Sequence, residues 1–199
     1  MSSTLLKTLH ECLDFKIYSS EWLLKVKRIL DDCGLSFVWE QPHAVSTTWL
    51  DKTLNLRMKD SFIQSWNQQC NNCNKACNYP LYKDIFCFEK YLDTLPRCYR
   101  IAMTQLRTSN HKLPVEKGRY SNLPRNLRTC TLCSSEKPGD EFHFLLECPA
   151  LSELRLKYIP KYFRTNPNFY KYAQIISYQN NKQMLNLSKF IHHGLSLFK

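Results

Sequence analysis

Three cysteines and one histidine fall within nineteen residues of the chain, in the stretch CTLCSSEKPGDEFHFLLECP, as Cys130, Cys133, His143 and Cys148. Two residues separate the first pair of thiols, nine lie between Cys133 and His143, and four between His143 and Cys148. A Cys-x-x-Cys turn lets two thiolates grip one zinc ion from a tight knuckle. A His and a Cys five positions apart supply the other two tetrahedral ligands when a short helix ends between them. The intervening residues suit that geometry: Lys137-Pro138-Gly139-Asp140 is a turn leading to an aspartate N-cap, Phe142, Leu145 and Leu146 can pack behind the metal, and Pro149 stops the helix. Taken singly, such residues are usually buried thiols and a core histidine. Four of them at ligand spacing favour a metal. Four protein ligands leave no position for water, so the expected Zn2+ is structural rather than catalytic. The order of the motif is also the reverse of the His-x-Glu then Pro-Cys-x-x-Cys order of zinc deaminases.

The charge around this stretch points to a partner. Lys and Arg number 28 against 17 Asp and Glu in the 199 residues, a net +11. Residues 1–96 balance, 97–128 carry +7, 129–150 carry −3 and 151–199 carry +7, which sum to +11. Three thiolates and a neutral imidazole overcompensate a divalent ion, so the knuckle itself is a poor phosphate binder and its flanks must form the binding surface. Before the knuckle stand Arg97, Arg100, Arg107, Lys112, Lys117, Arg119, Arg125 and Arg128 against the single acid Glu116; after it come Arg155, Lys157, Lys161 and Arg164. Tyr99, Tyr120, Tyr158 and Tyr162 are interleaved with them. This combination neutralises phosphates and stacks bases, so the expected partner is RNA or single-stranded DNA. The competing readings are a solvated charged face, and a zinc-stabilised module that docks onto a polymerase or host protein.

Other residues carry less. Cys70, Cys73, Cys77 and Cys87 include a second Cys-x-x-Cys, but with no nearby histidine they read as incidental free thiols, with a second zinc site as the alternative. His192-His193 reads as the mixed face of a terminal helix. No basic-then-apolar leader and no apolar run of about 18 residues is found, so an intracellular protein without a membrane partner is expected.

The elements that must position these groups are mostly helical. Ser20 caps a predicted helix that stops at Gly34, and a second begins at Thr48 with Asp51 completing a capping box and runs through Leu54, Met58, Phe62 and Trp66, read as core, to about Asn71. Helical spacing is read over 84–95, resumes after Pro96 at Tyr99, Met103 and Leu106, and returns at Leu151, Leu154 and Tyr158 and over Met184 to Leu195. Between them, NHKLPVEKGRYSNLPRNLR, with its prolines and glycine, predicts an extended arm or hairpin. The expected organisation is a mainly α protein: a helical module over 1–96, a basic helix and extended arm over 97–128, a CCHC zinc knuckle over 129–150, and basic C-terminal helices over 151–199.

The ligand array with its approach Asp140-Glu141-Phe142-His143 and exit Leu146-Glu147-Cys148-Pro149 resembles the C-terminal region of non-LTR retrotransposon reverse transcriptases. So does the segment LRTSNHKLPVEKGRYSNLPRNLRTC before it, with its Val-Glu-x-Gly-Arg and Pro-Arg phrasing. SEWLLKVKRILDDCGLSFVWE and FEKYLDTLPRCYRIAMTQLR extend the likeness over most of the chain. The resemblance implies a fragment downstream of the polymerase that handles template RNA and target DNA. Polymerase chemistry needs metal-binding aspartates in a palm; Asp31-Asp32 end a predicted amphipathic helix, and no phosphate-binding Gly-rich loop or nuclease carboxylate set is present. A non-catalytic, zinc-dependent nucleic-acid-binding role is expected, with residual enzymatic activity of a reverse transcriptase as a further alternative.

Overall fold

The structure, a computed structural model, describes residues 8, 11, 20–73, 75 and 78–198. The chain divides into two compact units, Met1–Gln69 and Cys70–Lys199. The expected boundary near residue 96 therefore moves upstream: Tyr91 and Leu95 are buried in the same core as the knuckle.

In the first unit, α1 (Glu21–Asp32) starts where Ser20 Oγ accepts a hydrogen bond from Leu23 N, and Gly34 leaves it at φ 65°. That left-handed turn suits a residue without a Cβ. The chain folds back into α2 (Ser36–Glu40), and Val26, Leu30, Leu35, Val38 and Leu50 close a small core. The long α3 (Thr47–Asn72) has its N-cap at Ser46, whose Oγ accepts from Trp49 N, two residues before the predicted start. Leu50 is its buried residue, while Met58 and Phe62, expected in a core, are 46% and 54% exposed.

The second unit holds the larger core. Residues 84–90, expected to be helical, instead form a loop tied together by buried Lys83, whose ammonium donates to the Cys87 carbonyl and to Glu89. Helix resumes only at α4 (Tyr91–Thr94) and, after Pro96, at α5 (Arg97–Arg107). The predicted extended arm is also helical in part: α6 spans Pro114–Tyr120. Its proline is at the first helical position, where the missing N–H has no partner to lose, so the residue that read as a breaker is a starter. A short turn, Arg125–Leu127, leads into the knuckle. Beyond the knuckle come α7 (Ser152–Tyr158), α8 (Lys161–Arg164), α9 (Phe169–Ile176) and α10 (Asn181–Leu195). Helix α10 packs along α5 and against α7, bringing Met184, Leu187, Phe190 and Ile191 into a core with Met103, Leu106, Phe144 and Leu151. The described residues contain no strand, and no helix among them is long and apolar enough to cross a membrane.

Candidate metal centre

The knuckle is a loop closed at its base by backbone pairing. Thr129 and Pro138 form an antiparallel bridge; Cys130 N donates to the Lys137 carbonyl at 2.9 Å, and Gly139 N donates to the Arg128 carbonyl at 2.8 Å. This brings Cys130 and Cys133 to one side. The other side comes from a short helix starting at Glu141, capped as expected by Asp140, whose Oδ1 accepts from His143 N at 2.9 Å. His143–Glu147 widen into a π-turn in which Cys148 N donates to the His143 carbonyl at 2.7 Å. A π-turn re-aims side chains and is often found at functional positions. Here it lets a His and a Cys five residues apart face the same point.

The four donor atoms of Cys130, Cys133, His143 and Cys148 all lie within 4.8 Å of one another. Cys130 Sγ and Cys148 Sγ are 3.8 Å apart, and Cys133 Sγ is 3.3 Å from His143 Nε2. Zn–S and Zn–N bonds of about 2.3 Å and 2.0 Å in a tetrahedron require S–S edges of about 3.8 Å and S–N edges of about 3.5 Å. The donor set fits a tetrahedral metal ion on both edges, and the cluster is sequestered: Cys130, His143 and Cys148 are buried and Cys133 is half-buried. Among the described residues no other group of Cys, His, Asp and Glu converges in this way.

The electrostatics of the four are uneven. Burial pushes the Cys133 thiol up, but hydrogen bonds with Ser135, His143 and Cys130 outweigh it and hold the thiol at about 6. Burial pushes Cys148 up to about 12, with the neighbouring Cys130 sulfur adding to the rise. A thiol so placed releases its proton to solvent readily when a metal cation takes its place on the sulfur, because the ion supplies the positive charge the apolar setting lacks. With Nε2 toward the sulfurs, the Nδ1 of His143 is buried without a hydrogen bond and lies 3.5 Å from Glu147 Oε2. That is the side from which a carboxylate orients a ligating imidazole.

Residues outside the motif hold the site in place. Buried Arg155 donates from Nε to the Leu145 carbonyl and from Nη2 to the Cys148 carbonyl, both at 2.9 Å, occupying acceptors left open where the π-turn ends. Glu141, 3% exposed, accepts from Ser109 Oγ at 3.1 Å, with His111 Nε2 at 3.0 Å from the same oxygen, tying the helix to the turn after α5. Gly139 N–H and C=O both pair with the preceding segment, and a Cβ there would come within 2.6 Å of Pro114. The ligands and the turn at Gly139 were legible from local spacing; the tie between Glu141 and Ser109 had no local signal, because the two lie 32 residues apart in the sequence.

The expected nucleic-acid residues divide by environment. Arg97, Lys112, Lys117, Tyr120, Arg125, Lys157 and Lys161 are exposed, and Arg100, Arg119 and Arg128 are partly so. Arg119 pairs with Glu116 at 3.1 Å and lies over the Tyr120 ring, and Arg125 pairs with Asp140 at 3.2 Å. Arg107 and Arg155 leave the set. Arg107 is 3% exposed, bound to Glu89 and the Ile176 carbonyl between the rings of Tyr82 and Tyr91. Both read as surface cations only because burial of an arginine is invisible in composition. Cys73 and Cys87 are exposed and Cys70 half-buried, while Cys77 lies outside the described residues. His192 packs edge-on against Tyr99, and exposed His193 stacks on Tyr158.

No protein-family model, curated protein or solved structure matches the chain.

Proposed function

We propose that the second unit is a nucleic-acid-binding domain built around a structural Zn2+, from the C-terminal region of a non-LTR retrotransposon reverse transcriptase. The observation that carries it is the convergence of four soft ligands within 4.8 Å, between two flanks that each hold +7. Zinc bound by Cys130, Cys133, His143 and Cys148 would supply folding free energy and no open coordination position, so the domain binds and orients but performs no chemistry. The knuckle's own acids support this division of labour: Asp140 is paired with Arg125 and Glu147 with Lys137, so neither carboxylate faces a phosphate unopposed. A protein-docking role is the second reading, favoured by Leu156, Tyr162, Phe169 and Tyr170, each more than half exposed.

Metal content and salt dependence test the proposal together. The purified chain is expected to hold one zinc ion, lost on Cys133→Ser. Its affinity for single-stranded RNA should fall with salt by a log–log slope of about −0.7 per phosphate contacted. Absence of stoichiometric zinc sinks the metal centre; zinc retained with a flat salt dependence moves the function to protein docking.

A further inference from the structure

Two clefts of about 720 and 570 Å3 open side by side in the second unit, and Lys112 and Phe198 line both. The larger lies between α5 and α10 and takes in Ile101, His111 and His192. The smaller runs under α6 to the turn before the knuckle, with Lys117 and Arg128 beside Leu123 and Leu127. Among the described residues neither cleft is lined by an aspartate or glutamate. Lys112 and Lys117 are exposed, and so are Ile101, Leu123 and Leu127, at 46%, 38% and 57%.

We propose that these clefts form one groove that takes a single strand of RNA or DNA, with phosphates on Lys112 and Lys117 and bases against the apolar walls. The proposal rests on the nucleic-acid reading above and narrows it to one face. Charge complementarity chooses a polyanion. The apolar walls choose the single strand, because a duplex hides its base faces within the stack, whereas an unpaired strand brings base faces and phosphates together to a cationic groove. Volumes of this size are those of sites that enclose small organic groups rather than a helix.

The metal centre fixes this groove. Lys112 follows His111, whose ring meets Glu141, two residues before the ligand His143. Leu113 is fully buried, Val115 N donates to the Gly139 carbonyl at 3.2 Å, and Arg128 donates to the Val115 carbonyl at 2.8 Å. The segments that carry Lys112, Lys117 and Arg128 into the smaller cleft are thus anchored to the base of the knuckle or to its helix.

The test uses the full zinc-loaded chain and a labelled oligouridine of about twelve nucleotides, read by fluorescence anisotropy across a salt series. Lys112→Glu with Lys117→Glu should weaken binding at least about tenfold and flatten the salt slope by about 1.4, two phosphate contacts' worth. Lys52→Glu with Lys59→Glu, exposed on α3 and lining neither cleft, should change affinity less than about threefold. Leu127→Ser should weaken binding with the slope unchanged, since it removes base contact and no charge. Zinc content, unchanged in each variant, separates lost binding from lost folding. The groove is overturned if the control pair loses as much as the groove pair, or if the same sequence as a duplex binds as tightly. If the wild-type chain binds no single strand at all, the broader nucleic-acid reading fails first.

Discussion

Glu141 carries the metal centre's influence into the rest of the domain through one oxygen. Burial pushes its carboxyl up, but the hydrogen bond and electrostatic pull of His111, with Ser109, outweigh it and leave the group below the usual carboxylate range. A depressed value in the folded state means stability that is present above the unfolded pKa of about 4.3 and lost as pH falls through the folded one. Glu141→Gln keeps the shape and removes the charge, so it should cost about 1.5–3 kcal/mol at neutral pH. Melting the zinc-loaded wild type and the variant from pH 7 down to pH 4 should show the gap between them narrowing on the acid side. A constant gap would place Glu141 outside any charge-dependent role. The two proteins share every other group, so the difference isolates this carboxylate. At this scale, what the sequence discloses is what local spacing encodes: the four ligands and the Asp140 cap. Arg155 shows the limit, since its three carbonyl acceptors become adjacent only once the π-turn forms.

Between elements, α10 approaches the π-turn closely at Gly194. Gly194 lies where a Cβ would meet the Phe144 ring at 2.8 Å, and that ring is packed among Phe190 and Phe198 with 1% exposure. Two effects oppose each other in Gly194→Ala. Helix propensity favours alanine by about 1 kcal/mol, whereas forcing a methyl into a filled core costs about 1–3 kcal/mol. Because Phe144 has no free side to move into, overpacking wins, and the variant should melt about 2–6 °C lower with zinc still bound. A higher melting temperature would show that the two elements do not pack this tightly. Helices with a cap and an amphipathic stripe, such as α1 and α10, were legible from sequence, because both signals are local. The misread segments failed for opposite reasons. Residues 84–95 have helical spacing, but Lys83 is buried with its ammonium on Cys87 and Glu89, which holds 84–90 as a loop. Residues 114–120 carry a proline that looks like a stop. The short α8 and α9 offer too few turns for a period to stand out.

For the molecule as a whole, charge and core follow the same division. Among the described residues the first unit's core is drawn from Val26 to Leu50 and the second's from Tyr91 to Phe198, with no residue shared. The first 96 residues are neutral, and all the excess charge belongs to the larger core and its surface. Folding of that unit should therefore be self-contained but metal-dependent. Zinc binding in small Cys/His sites supplies on the order of 10 kcal/mol, as much as the 5–15 kcal/mol net stability of a typical domain, so removing the ion should remove most of what holds the unit together. A fragment starting at Asn78, which keeps Leu81 and Tyr82 packed on the core, should take up one zinc ion per chain and melt in a single cooperative transition. A strong chelator should abolish that transition, and in the full chain it should leave any transition of the first unit in place. If the fragment binds zinc yet melts without cooperativity, the core needs the first 77 residues and the division drawn here is wrong. If it melts identically with and without chelator, the four ligands are ordinary core residues and the metal contributes nothing to the fold.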